Sequence, residues 1–106
     1  MNEARKRRLQ SLGWRFGNAK EFLRLSDEEA AFVELKIELA QALRGRRKRH
    51  RLSQVGLARL LGSSQSRVAK MEAGDPSVSM DLLVRALLAL GVSRRELARV
   101  FAAKAA

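Results

Sequence analysis

The stretch SSQSRVAKMEAG, residues 63–74, combines apolar and polar residues at helical spacing. Val68 and Met71 lie about 60° apart on a helical wheel and form a narrow apolar face. The opposite side and its flanks carry side chains that can form hydrogen bonds, and these are Gln65, Ser66, Arg67 and Lys70. The pattern predicts a helix that is anchored by one face and presents the other.

The presented side chains match the hydrogen-bonding edges of nucleic-acid bases. A Gln amide offers one donor and one acceptor to adenine, a Lys ammonium donates to guanine O6 or N7, and a Ser hydroxyl suits either base. Polar residues on an isolated helix usually face only water. The adjoining turn and the charge of the chain favour base contacts here.

The chain is strongly basic, with 22 Lys and Arg residues against 11 Asp and Glu residues and a formal net charge of +11. Such a charge attracts phosphate-rich polymers, so nucleic acid is the first partner to consider. A basic protein of the membrane surface would need a helix with sharply divided basic and bulky apolar faces. No segment has that pattern, and we expect no membrane partner.

The run RGRRKRHR, residues 44–51, places six Lys or Arg residues in eight positions. We expect it to contact DNA phosphates and to supply the salt-sensitive, sequence-independent part of the affinity. The alternative is a solvated helix end, where cations favour the C-terminal dipole. The residues predicted to contact phosphate are Arg44, Arg46, Arg47, Lys48, Arg49 and Arg51.

Residues 54–71 have the pattern of two short helices joined by a tight turn. Helices that cross at a steep angle need a small side chain at the crossing, which Ala58 provides. A three-residue turn needs the backbone freedom of Gly62. The apolar residues expected to face one another across this turn are Leu57, Leu61, Val68 and Met71.

A longer helix is predicted before this unit. Ser26 and Glu29 form a capping box, so the helix should run from about Asp27 to the high 40s. Its apolar positions between Phe32 and Leu43 cover more than the stripe of an ordinary surface helix, which indicates that two sides are covered. Either the N-terminal arm or another subunit covers the second side. Gly45 weakens a helix by about 1 kcal/mol relative to Ala, and we expect fraying or a bend there.

The rest of the chain also predicts helices, and the fold class is all-α, a compact bundle of about five helices with an N-terminal arm. Ser53 and Ser79 are expected N-caps, and Ser93 with Glu96 forms a second capping box. Gly91 stands where a helix-ending glycine takes positive φ. No β-alternation of useful length occurs.

From about Leu35 to Leu90, centred on LSQVGLARLLGSSQSRVAKMEAG, the sequence resembles the helix-turn-helix domain of the lambda repressor and Cro family, the xenobiotic-response-element regulators. The resemblance implies that the second short helix lies in the DNA major groove. Gln65 and Ser66 then read bases, Lys70 reads one turn later, and Gln54 and Ser64 hold phosphates. Glu72 resembles the buried or capping acid of the family.

Two residues depart from the family pattern. Gly56 stands where an acidic or polar helix former is usual, and Arg51 stands where the loop commonly has Gly. These departures concern local stability and leave the motif intact.

The chain divides into an arm, residues 1–25, and a helix-turn-helix domain, residues 26–106. The basic cluster RKRR at 5–8 suits a groove-seeking arm, an acidic partner or a disordered tail. Trp14 could stack on a base, but an isolated Trp more often anchors a small core.

We expect a homodimer, because symmetric operators are read by two-fold dimers. The candidate surfaces are the helix from Phe32 to Leu43 and the last helix with Leu97 and Phe101.

The chain also resembles antitoxins of type II toxin-antitoxin modules, in its size, its N-terminal arm and the absence of a ligand domain. That resemblance implies a transcriptional repressor that autoregulates its operon and neutralises a RelE-like or HigB-like toxin. A stand-alone phage-type or metabolic repressor is the alternative. An RNA-binding module fits less well, because none of the five aromatic residues lies in the reading helix.

Other functional classes have little support. The chain has no Cys or Tyr, and no Ser, His and acid set at plausible positions, so we expect no enzyme. His50 is the only histidine, and without other ligands at suitable spacing it predicts neither a metal site nor a cofactor. No apolar run could cross a membrane and no secretory signal follows the N-terminus, so we expect a cytoplasmic, nucleoid-associated protein.

Overall fold

The computed structural model describes residues 26–102, and these form five helices. They are α1 (Asp27–Arg49), α2 (Gln54–Leu61), α3 (Gln65–Glu72), α4 (Met80–Ala89) and α5 (Arg94–Ala102). The predicted all-α class is confirmed. The predictions for the arm, including the basic cluster at 5–8 and Trp14, lie outside the described residues.

The first helix is the central element of the bundle and packs on α3, α4 and α5. Ser26 caps it, since its Oγ accepts from the Glu29 amide at 3.1 Å. Five consecutive residues, 36–40, are all buried, so this part of α1 is covered on every side. We expected fraying or a bend at Gly45, but the helix continues without interruption to Arg49.

The N-caps at Ser53 and Ser79 follow the sequence prediction, and Ser64 caps α3 in the same way. The Ser53, Ser64 and Ser79 hydroxyls each accept a hydrogen bond from a backbone amide three residues later. At α5 the predicted capping box is reciprocal. The Glu96 amide donates to Ser93 Oγ at 3.1 Å, and the Ser93 amide donates to Glu96 Oε1 at 3.3 Å. Each helix start is therefore specified by its own short sequence.

The core is built by one face of each of the first four helices. Ten of its side chains are at most 1 % exposed and come from α1, α2, α3 and α4: Ile37, Leu39, Ala40, Leu43, Leu57, Val68, Met71, Leu83, Ala86 and Leu87. None of the residues of α5 is fully buried, although Leu97 and Val100 pack against this cluster. The last helix is therefore the least enclosed of the five.

The loop between α3 and α4 is held against α1. Gly74 has φ of +67°, and a Cβ there would lie 3.0 Å from Ile37 Cγ1. Lys36 Nζ donates to the Pro76 carbonyl at 3.2 Å, and burial lowers the Lys36 pKa while Asp75 partly opposes that effect. Hydrogen bonds from Ser77 lower the pKa of the Asp75 carboxyl. These contacts fix where the chain leaves α3.

A pair of glycine substitutions tests the backbone assignment at the turn. A Cβ added at Gly62 or at Gly45 would have no neighbouring atom within 4 Å. The two sites therefore differ mainly in the backbone angle φ, which is +64° at Gly62. Gly62→Ala should destabilise the fold by about 1 kcal/mol, because an L-residue is strained there. Gly45→Ala should stabilise α1 by about 1 kcal/mol.

Thermal unfolding of the two variants checks this expectation. For a domain of this size, the unfolding temperature Tm should fall by about 4–8 °C in Gly62→Ala and rise by about 4–8 °C in Gly45→Ala. Shifts of the same sign would contradict the assigned left-handed turn.

Candidate nucleic-acid interface

The helix α3 has the two-faced character that its sequence predicts. Val68, Met71 and Glu72 are buried, and Ser64 Oγ caps the helix by accepting from the Arg67 amide at 3.2 Å. The exposed side chains lie on the remaining face, and they are Gln65, Ser66, Arg67 and Lys70. The structure therefore brings all four predicted base-reading residues onto one accessible surface.

The turn before α3 is rigid for local reasons. Gly62 ends α2 in the left-handed conformation, and the Ser63 amide donates to the Ala58 carbonyl at 2.8 Å. Leu57 and Ala58 are buried beneath the turn, and Leu61 is half-buried. The small side chain of Ala58 thus sits where α2 crosses the core, as its position in the motif requires.

A buried ion pair joins α1 to α3. The Arg47 guanidinium donates through Nε and Nη2 to the two carboxylate oxygens of Glu72, with the Nη2 contact at 3.0 Å. The side chains are 11 % and 3 % exposed, and Arg47 Nη1 also donates to the Leu52 carbonyl at 2.8 Å. The hydrogen bond to Glu72 raises the pKa of Arg47, so this guanidinium stays charged.

The pair continues into a chain of hydrogen bonds that reaches the presented face. Gln54 Nε2 donates to Glu72 Oε1 at 3.2 Å, and Gln65 Nε2 donates to Gln54 Oε1 at 2.7 Å. Glu72 thereby accepts from three donors, which offsets the desolvation of its charge. The same chain fixes the orientation of the Gln65 amide at the start of α3.

The basic run divides into engaged and available residues. Arg46 donates to Glu96 at 2.8 Å and to the Leu90 and Gly91 carbonyls, so it fastens the α4–α5 turn to α1. The available residues are exposed and form no ion pair within residues 26–102, and they are Arg44, Lys48, Arg49 and Arg51.

Of the six cations predicted to contact phosphate, Arg46 and Arg47 are engaged with partners inside the protein instead. The reason is helical geometry, because the two residues lie three and four positions after the buried Leu43 and point to the same side of α1. No local sequence pattern predicts the network as a whole. The spacing from Leu43 was the signal that could have identified the inward pair, whereas the partners Glu72 and Glu96 are 25 and 50 residues away.

The two departures from the family pattern also have structural outcomes. Arg51 has φ of +57°, the conformation for which Gly is usual, and its amide donates to the Lys48 carbonyl at 2.9 Å. A Cβ at Gly56 would make only ordinary contacts, at 3.4 Å from Leu52 Cδ2 and Ser53 Oγ. Arg51 therefore carries the cost of a non-Gly residue in the left-handed region, and Gly56 carries the propensity cost of a glycine inside α2.

Other kinds of site find no support in the part of the chain that is described. Within residues 26–102, no three His, Cys, Asp or Glu side chains come together as metal ligands, and His50 is exposed. In the same range, no helix has both the length and the apolar character that crossing a bilayer requires.

The geometry defines a helix-turn-helix unit, in which a second helix follows a three-residue turn and presents polar side chains. A family model described as Helix-turn-helix matches residues 43–97, just over half of the chain. Comparison with curated proteins and with solved structures gave no match. The chain belongs to the helix-turn-helix family of DNA-binding transcription regulators of the lambda repressor and Cro type.

Removal of one member of the buried pair tests how much the ion pair contributes to the stability of the fold. Arg47→Met should destabilise the domain by about 3 kcal/mol, because it leaves the Glu72 carboxylate buried without its counter-charge. Arg49→Met is the matched control, since it removes the same group from an exposed position two residues later. Urea denaturation measures both, and equal midpoints for the two variants would show that the pair contributes nothing beyond its surface charge.

Proposed function

We propose that this protein is a sequence-specific transcriptional repressor that reads an operator in double-stranded DNA through the exposed face of α3. One observation carries the proposal: a short helix is fixed on its inner side by Val68, Met71 and the Glu72 ion pair, and its outer side carries four polar residues. A rigid helix of this kind can place side chains against base edges in the major groove.

Each outer residue has a role that its chemistry suits. Gln65 uses one amide hydrogen on Gln54, which leaves one donor and one acceptor for adenine. Arg67 and Lys70 donate to guanine, and Ser66 adapts to either purine. The Gln54 side chain positions Gln65, so any phosphate contact of Gln54 uses the first-turn amide of α2.

Phosphate binding is the second part of the proposal. We assign it to Ser64 at the start of α3 and to the exposed cations Arg44, Lys48, Arg49 and Arg51. Arg46 and Arg47 are left out because their guanidinium groups hold the bundle together. Phosphate contacts set register and general affinity, whereas base contacts determine the sequence.

Alanine substitutions separate the two kinds of contact. Gln65→Ala, Ser66→Ala and Lys70→Ala should each cost about 1–3 kcal/mol at one operator position and spare binding to random duplex. Arg49→Ala is the contrasting variant, and it should weaken binding to both duplexes. It should also reduce the slope of log K against log salt concentration by about 1, as expected for the loss of one phosphate contact. Equal losses on operator and random DNA for the α3 variants would remove them from base reading.

A homodimer is part of the proposed mechanism, because a symmetric operator presents two half-sites about one DNA turn apart. The exposed apolar side chains Leu88 and Phe101 on α4 and α5, and Phe32 on α1, support two candidate surfaces. Light scattering at micromolar concentration should give twice the monomer mass. If α5 forms the interface, Phe101→Ser should lower the measured mass toward that of the monomer. A monomeric wild type that binds its operator as a monomer would contradict the dimer.

We further propose the narrower role of an antitoxin that represses its own operon and neutralises a RelE-like or HigB-like toxin. Its support is the apolar character of the arm, with Trp14, Phe16 and Phe22 in its second half, and the 51 % exposure of Phe32 near the start of α1. Aromatic anchors of this kind carry much of the energy of protein interfaces. A stand-alone repressor is the second candidate, and it needs only α3 and the basic run.

Deletion of residues 1–25 distinguishes these two roles. Co-expression with a toxin encoded next to this protein should restore growth with the full chain but not with the truncated chain. Operator binding by residues 26–106 should remain measurable and serves as the control for folding. Full rescue by the truncated chain would exclude the arm from toxin binding, and a neighbouring product that is harmless alone would favour the stand-alone repressor.

A further inference from the structure

A groove of about 310 Å³ lies between α1, α4 and α5, and Arg49 is the one lining residue that is also assigned to DNA phosphate. Its apolar lining comes from all three helices and from the turn before α5, and consists of Ala42, Leu87, Val92 and Val100. Arg49 and Arg99 line it as well, together with the ion pair of Arg46 and Glu96. The groove thus combines an apolar surface with charged groups.

The charges of the groove do not balance. Glu96 is occupied by Arg46 and by the Ser93 amide, and the hydrogen bond from Ser93 is the main reason that its pKa is lowered. Arg49 and Arg99 form no ion pair with any residue in the range 26–102. Two positive charges therefore lie beside an apolar surface without a carboxylate to neutralise them.

We propose that this groove binds a small organic anion, a carboxylate or phosphate group attached to an apolar body. The guanidinium groups of Arg49 and Arg99 hold the anionic group, and the half-buried Ala42 and Val100 cover the apolar body. The volume lies at the lower end of the range of small-molecule sites, which suits a metabolite rather than a folded partner. Guanidinium is the cation best suited to hydrogen-bond both oxygens of such a group.

A second copy of the chain is a poorer occupant of the groove. In a two-fold dimer the same patch faces itself, so Arg49 and Arg99 of one protomer would approach those of the other. Like charges that meet in this way oppose association. The groove therefore favours an external anion over self-association.

Methyl NMR titration of the full chain with octanoate tests the proposal, and octanol and inorganic phosphate serve as the uncharged and the purely anionic probes. Octanoate should shift the methyl signals of Ala42, Val92 and Val100 in a saturable way and at lower concentration than octanol. Phosphate should leave these methyl signals in place, because it has no apolar body.

Two double variants separate the site from the general charge of the surface. Arg49→Ala with Arg99→Ala should weaken octanoate binding roughly fivefold or more, as expected for the loss of two partly exposed ionic contacts. Arg59→Ala with Arg95→Ala removes the same charge from exposed positions that do not line the groove, and should leave the affinity within twofold of the wild type.

Three results would overturn the proposal. One is the absence of saturable shifts with octanoate in the wild type. Another is an equal loss of affinity in the two double variants, since that would reflect only the net charge of +11. The third is equal binding of octanol and octanoate, which would show that the arginines hold no anion.

Discussion

The bidentate contact between Arg47 and Glu72 is the constraint on which the reading surface depends. It joins the last turns of α1 and α3, and through Nη1 it also holds the Leu52 carbonyl ahead of α2. One guanidinium thus fixes three segments, and Gln54 extends the connection to Gln65. Because α3 has only eight residues, an isolated helix of this sequence would be only marginally stable. The ion pair and the packing of Val68 and Met71 on the core together give α3 a fixed orientation.

Helical geometry divides the basic run into residues that face the bundle and residues that face solvent. Residues 44–49 continue the periodicity of α1, so the positions that follow Leu43 by three and four residues turn toward the bundle. Arg46 closes the α4–α5 turn there, and Arg47 closes the α2–α3 unit. The other cations remain outside, where the strong positive potential can attract phosphate. Charge density in a sequence therefore overstates the number of cations available to a ligand.

Local features of the fold could be predicted from the sequence, and the tertiary contacts could not. The caps at Ser26, Ser53 and Ser79 and the positive φ of Gly62 and Gly91 follow from interactions within a few residues. The partners of Arg46 and Arg47 depend on how distant helices pack, and no local pattern specifies them. The helix is not interrupted at Gly45 for a related reason, because packing of α1 on three helices outweighs a propensity cost of about 1 kcal/mol.

A regulator with a net charge of +11 must solve a particular problem of selectivity. Its general attraction to DNA is large at any sequence, so discrimination has to come from a few contacts worth about 1–3 kcal/mol each. Such contacts discriminate only when the side chains are held in place, because a mobile Gln or Lys adapts to a wrong base at little cost. Gln65 meets this condition through Gln54 and the buried pair behind it, whereas Lys70 has no hydrogen-bonded side-chain partner within residues 26–102. In the proposed mode of binding, sequence selectivity should therefore be strongest at the base opposite Gln65.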